Sequence, residues 1–369
     1  MKRLIIKLTV MLVIVSICVV TMSEFTRPKW VSGSNPQTYQ FSRFEELEPN
    51  TIDVLAMGSC QVYQGFNTAV LWERAGLTSY VLASPDQRFY STYHLLKNAL
   101  KTQSPKILLI DALMLTEPND ESRGYDSKVL YSIDDTDERL ELADEIFELH
   151  YKENKALPQY YCEKLTEKIK TVFPVFTFCS TFDFSSDYVK YYTGSDTITY
   201  NGSVPVYIRM DITPKSAYMT ENCKGNAKID ANADLYFRKV VELCRENGIE
   251  IVLFKTVSQR YWSNEKHEII ADYAADFGID YIDFNVDPES FGFDLSTDMF
   301  ERWKMNADGM CKTTEILAEH ITEKYPELSD SEKSASVISY YDSMLARYKK
   351  AYESAQWKTV ELSEDTAKE

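Results

Sequence analysis

The chain lacks a glycine-rich phosphate loop. It has no dinucleotide fingerprint, no Walker pattern and no kinase-type glycine loop, so chemistries that need a backbone cradle for phosphate have no seat, and no cofactor is expected. Histidine is scarce: the 369 residues hold 4, namely His94, His150, His267 and His320. None follows an expected strand, where the general base of a nucleophilic site would stand. No Cys/His cluster has zinc spacing, so no metal site is expected. Basic charge is in deficit, with 40 Lys and Arg against 57 Asp and Glu and a formal net charge of −17. So acidic a surface repels phosphate backbones, which argues against nucleic acid as a partner. The cysteines, Cys18, Cys60, Cys162, Cys179, Cys223, Cys244 and Cys311, show no short framework spacing. Cys244 lies on an apolar helix face and reads as a small core residue. Repeats and low-complexity tracts are missing.

The N-terminus reads Met1-Lys2-Arg3 and then an apolar run to Met22 that contains only Lys7. A cleaved signal peptide and an uncleaved anchor both fit such a segment. The Val19-Val20-Thr21-Met22 exit has no small-x-small cleavage site, which favours the anchor over residues 1–22. Lys2, Arg3 and Lys7 would keep the N-terminus cytoplasmic, making a single-pass protein of the cell membrane with its body extracytoplasmic. No later segment is long and apolar enough to span. Residues 23–50 read as a polar connector with Pro28 and Pro36.

With 44% hydrophobic and 13% aromatic residues, the remainder has the composition of a packed globular body. Its periodicity predicts strands at 52–57, 79–83, 106–111, 249–254 and 281–284. Helices are predicted at 67–75, 85–100, 233–247, 264–277 and 309–324, several ended by glycine. This alternation implies an α/β fold, a flavodoxin-like three-layer arrangement with a doubly wound parallel sheet of about five strands. The domain covers 51–328 and is interrupted by an insertion at 113–228, too long for a plain loop, with a helix expected at 134–148 and an aromatic segment at 173–179. The aromatics suit either sugar stacking or a local core. Residues 329–369 hold a C-terminal helix, near 335–355, and a charged tail.

In such sheets the functional crevice lies at the carboxyl ends of the strands. Cys60, Ser84, Asp111, Thr256 and Asp283 fall there. Gly58-Ser59-Cys60 breaks the first strand and opens a helix, the place where α/β proteins set a nucleophile. A helix start favours a thiolate at Cys60, and its own N–H is positioned to hold an oxyanion. The other reading is a small buried cysteine in a tight turn. Ser59 sits one residue early.

Four stretches, in order, resemble the SGNH/GDSL hydrolase superfamily, in particular membrane-anchored bacterial envelope proteins related to teichoic-acid D-alanyl transfer and polysaccharide O-acetyl transfer. They are VLAMGSCQVYQGFNTAVLWERAGL, SYVLASPDQ, the pair NGIEIVLFKT and YAADFGIDYIDFN, and DLSTDMFERWKMNADGMCKTTEILAEHI. Relatives read G-S-S-H in the first and D-x-x-H-L-N-x-x-G in the last. The resemblance implies an acyl-ester hydrolase or acyltransferase lineage acting on envelope polysaccharide. It puts the nucleophile at Cys60 and Gln61 where relatives carry histidine. The acid falls on Glu301, the base on Lys304, and the oxyanion pocket near Ser59, Ala83 and Ser84, with Asn306 and Gly309 keeping the last block. A cysteine for serine and a lysine for histidine imply altered or lost catalysis, because a glutamate beside a lysine holds it charged. A non-catalytic envelope glycan-binding or assembly-partner protein is the alternative.

Overall fold

A computed structural model describes residues 2–28, 37–117, 123–151, 155–179, 200–212, 227–329 and 332–361, with residues 189 and 219 besides. The apolar N-terminal run forms one helix, α1 (Lys2–Thr26), with Ser23 and Thr26 its only buried residues. Its 25 residues and hydropathy of 2.7 make it long and apolar enough to cross a membrane. The connector is partly ordered: α2 (Gln37–Glu45) sends Phe41 and Phe44 into the core. Residues 29–36 lie outside the described residues.

The first half of the domain runs β1 (Val54–Gly58), α3 (Cys60–Tyr63), α4 (Thr68–Ala75), β2 (Ser79–Ala83), α5 (Phe89–Ala99) and β3 (Ile107–Asp111). The insertion follows with α6 (Arg123–Leu130), α7 (Thr136–His150), α8 (Pro158–Val172), α9 (Val175–Phe178) and β4 (Ile208–Met210). The second half runs α10 (Ala231–Asn247), β5 (Glu250–Lys255), α11 (Asn264–Phe277), β6 (Asp280–Asp283), a hairpin of β7 (Met299–Glu301) and β8 (Lys304–Met305), and α12 (Ala307–Lys324). A short α13 (Pro326–Ser329), α14 (Ala335–Glu353) and β9 (Lys358–Val360) end the described chain.

The fold is α/β, with five parallel strands in the order β2-β1-β3-β5-β6. Strands β1, β2 and β3 are buried at every position. Alternate side chains of β1 serve two cores: Leu55 and Met57 meet α5, α10 and α11, while Val54 and Ala56 face the α3–α4 region and α12. The expected helix stops hold. Asn67 caps α4 through the N–H groups of Ala69 and Val70, and Gly76 ends it with φ +64°.

Local order in the insertion matches its length. The acidic stretch expected as a helix is α7, but the aromatic segment makes only one helical turn, α9. Among the described residues, Phe178 packs on Tyr131 at 4.9 Å and Phe173 on Phe176 at 6.1 Å. The C-terminal helix α14 belongs to the body: Tyr341, Met344 and Tyr348 are buried, and Tyr341 donates to Ser79 O at 2.9 Å. β9 then pairs with β4.

The chain leaves β1 for β2 on one side and returns to β3 on the other. The switch point therefore lies between the carboxyl ends of β1 and β3, at Gly58 and Asp111. Gly58 has φ +143°, and a Cβ there would stand 2.7 Å from Asp111 Cβ and 2.9 Å from Val62. Gly58→Ala should lower stability by about 2–4 kcal/mol, read as the denaturant midpoint. A midpoint equal to the parent's would mean that the turn relaxes freely.

Candidate active site

Ser59 caps α3. Its Oγ accepts from Gln61 N–H at 3.2 Å and donates to Asp111 Oδ2 at 2.5 Å. Cys60 is the first helical residue. The expected thiolate is not favoured there. Burial pushes the Cys60 thiol up to about 11; Lys304 pulls the other way, while Asp111, Glu301 and Asp86 add to the rise. The physical reason is that α3 is only 4 residues long. A single turn supplies little dipole against burial among carboxylates.

The last motif does reach Cys60. β8 packs on α3, and Lys304 is the favourable charge acting on the thiol. Yet Lys304 Nζ lies 3.1 Å from Glu301 Oε2 and over the Phe300 and Trp303 rings at 5.8 and 5.7 Å. Among the described residues no hydrogen bond joins it to Cys60. The histidines do not substitute. His94 is buried between Glu138 and Glu145, His320 is 2.9 Å from Asp280, and His150 is 3.5 Å from Asp126. His267 is nearer the crevice than its sequence position suggests, bonded at 2.8 Å to Asp283 at the end of β6.

Ala83 is buried at the end of β2. Ser84 N–H donates to Gly58 O at 3.2 Å, so this expected oxyanion donor is occupied. Its Oγ is different: it is buried and has no partner among the described residues, as does Gln87 Oε1. Between them Asp86 holds φ +54°, a conformation uncommon outside glycine. Two unpaired polar atoms in one turn beside the crevice are costly unless a ligand or water meets them.

Asn306 is part of the frame. It caps α12 by accepting from Asp308 and Gly309 N–H at 3.0 and 3.2 Å. Its amide donates to Thr297 O at 2.6 Å and Ile208 O at 3.0 Å. Every part of this side chain is engaged, so it positions the β7–β8 hairpin rather than facing a pocket.

One residue escaped the sequence reading. Lys255, at the end of β5, is fully buried. Its Nζ donates to Gln61 Oε1 at 2.6 Å and Thr256 O at 2.9 Å, and lies 5.3 Å from the Trp262 ring. Thr256 Oγ1 also donates to Gln61 Oε1 at 3.0 Å. Burial pushes Lys255 down to about 8, against Asp111 and Asp283, which hold it up. Burial also raises the Asp111 carboxyl, opposed by Lys255 and Ser59. Asp283 stays low although burial works against it, because His267, Asn285 and Trp262 donate to it. The signal was a charged residue closing the apolar run Ile251–Phe254 of the strand EIVLFK.

His94, Glu138 and Glu141 lie close enough to ligate a metal ion. Lys97 Nζ already neutralises the two carboxylates at 3.1 and 2.6 Å.

Two outcomes follow from these charges. Only the thiolate alkylates, so iodoacetamide labelling of the Cys60 peptide should rise about tenfold per pH unit toward pH 11. Lys304→Met should slow it, since the one favourable charge is gone; fast labelling at pH 7 would contradict the geometry. Lys255→Met strands Asp111 and should lower stability by about 3 kcal/mol. Lys255→Met with Asp111→Asn should recover part of that loss in urea unfolding, and strict additivity would show that the two charges do not interact.

No protein-family model matches the chain, and no curated protein does.

Proposed function

We propose that the chain is a membrane-anchored, extracytoplasmic protein of the bacterial cell envelope with a flavodoxin-like, three-layer SGNH-type domain. Its lineage is that of acyl-ester hydrolases and acyltransferases acting on envelope polysaccharide, and its own acyl chemistry is disabled. What supports the loss of acyl chemistry is geometric: Lys304 Nζ is paired with Glu301 at 3.1 Å and, among the described residues, makes no hydrogen bond to Cys60, whose thiol burial pushes up. Acyl transfer would require the thiolate to add to an ester carbonyl and expel the alcohol, with a base first taking the thiol proton. Lys304 is engaged with Glu301 and does not hydrogen-bond the thiol among the described residues. The three positive residues before and within α1, Lys2, Arg3 and Lys7, support an outward-facing body.

A role in holding an envelope glycan or an assembly partner is favoured by a separate observation. Ser84 Oγ and Gln87 Oε1 are buried and unpaired among the described residues, in the turn whose Ser84 N–H bonds Gly58 at the end of β1, and an open α/β sheet usually binds ligands at these strand ends. Neither atom depends on the thiol.

Hydrolysis of p-nitrophenyl acetate near pH 7 should be the same for the parent and Cys60→Ala, and Lys304→His should raise it. Retention on purified cell-wall glycan should survive Cys60→Ala and weaken in Ser84→Ala. Parent turnover that vanishes in Cys60→Ala would overturn the loss of catalysis. Indifference to every envelope polymer would sink the binding role.

A further inference from the structure

We propose that the outer face of α8 lies on the membrane surface entered by α1, as a second, interfacial contact. This rests on the reading of α1 as a membrane helix. Leu157, Tyr161, Leu165 and Ile169 recur every four residues and form one stripe along α8. The stripe points outward, with Tyr161 65% and Leu165 60% exposed.

The adjacent face carries polar pairs. Tyr160 donates its hydroxyl to Glu148, Lys164 pairs with Glu148 at 2.7 Å, and Lys168 pairs with Asp144 at 2.7 Å, all against α7. Glu163 and Glu167 are exposed on the remaining side. A helix meant for water buries its apolar stripe. α8 leaves its stripe exposed and meets α7 through these polar pairs.

The position of α1 identifies what covers the stripe. Only Phe173 and Pro174 separate α8 from α9, and α9 packs against α1. The buried Ser23 and Thr26 lie in the last turns of α1. Arg27, just beyond, pairs with Asp134 of the insertion. The insertion is therefore fastened where α1 would leave the bilayer. Phe176 of α9 and Phe25 of α1 extend the exposed apolar surface from α8 to α1. An apolar surface continuous with a membrane helix meets the same lipid.

Charge does not drive this contact. The lysines of α8 are matched by carboxylates, and the whole chain carries −17. The attraction comes from aliphatic and aromatic side chains at headgroup depth, so it should be insensitive to salt.

The test uses the full chain, one copy per nanodisc, in phosphatidylcholine and phosphatidylglycerol with or without brominated acyl chains. Single tryptophans are added as Val13→Trp in α1, Leu165→Trp and Ile169→Trp in α8, and Leu235→Trp on the exposed side of α10, each read against the parent with its 5 tryptophans. The inference expects the added emission at positions 13, 165 and 169 to fall by about twofold or more in brominated lipid, and that at 235 to stay unchanged. Quenching at 13 with both α8 positions behaving like 235 overturns the inference while leaving the anchor intact; α8 would then be covered by a second copy or another protein. No quenching at 13 overturns the anchor and the inference together.

Discussion

The close approach of Gly58 to Asp111 is the constraint on which the site depends. With no side chain at Gly58, β1 turns directly over the end of β3, and Ser59 reaches the Asp111 carboxylate. Asp111 in turn faces Lys255, whose ammonium is held by Gln61 and Thr256. Three neighbouring strands are thus joined at their carboxyl ends by buried polar groups, in the one place where an open α/β sheet leaves its backbone uncovered. Such a network is strongly penalised if one partner is lost and contributes little net energy when complete. Its role here is to set the positions of Ser59, Cys60 and Gln61.

The same network surrounds the Cys60 thiol, which burial pushes up to about 11. The charges around it are mostly negative, and the cation beneath, Lys255, is spent on Gln61 and its own strand end. Lys304 arrives from the β7–β8 hairpin already paired with Glu301. Cys60 and the β7–β8 hairpin are brought together, but Lys304 is paired with Glu301 and burial pushes the Cys60 thiol up. In the β2–α5 turn, Ser84 Oγ and Gln87 Oε1 are buried without a partner among the described residues, although Gln87 Nε2 donates to Leu82 O and to Thr92.

The strands were legible in advance because a doubly covered parallel strand must be apolar at nearly every position, and VLAMG, SYVLA and ILLID are. Helix ends were legible where chemistry forces them, as at Gly76, Gly248 and Gly278, each left-handed in the structure. In the insertion its length and the acidic helix α7 were legible. The facing of α8 was not, since it packs on α7 through Lys164 and Lys168 and leaves its aliphatic side chains exposed. A pattern of period alone is the same for a stripe that meets a core and one that meets lipid.

The sequence by itself determined the alternation of strands and helices, the placing of Cys60 at a strand end, the apolar N-terminal run and the absence of a histidine directly after any expected strand. Each is a local property of neighbouring residues. Only the tertiary structure decided the charge state of the site. Asp111, Lys255 and Asp283 come from strands far apart in the chain, and burial combined with their mutual fields sets which groups keep their protons. A thiol whose place at a helix start favours ionisation is instead pushed up by burial, with Asp111, Glu301 and Asp86 adding to the rise.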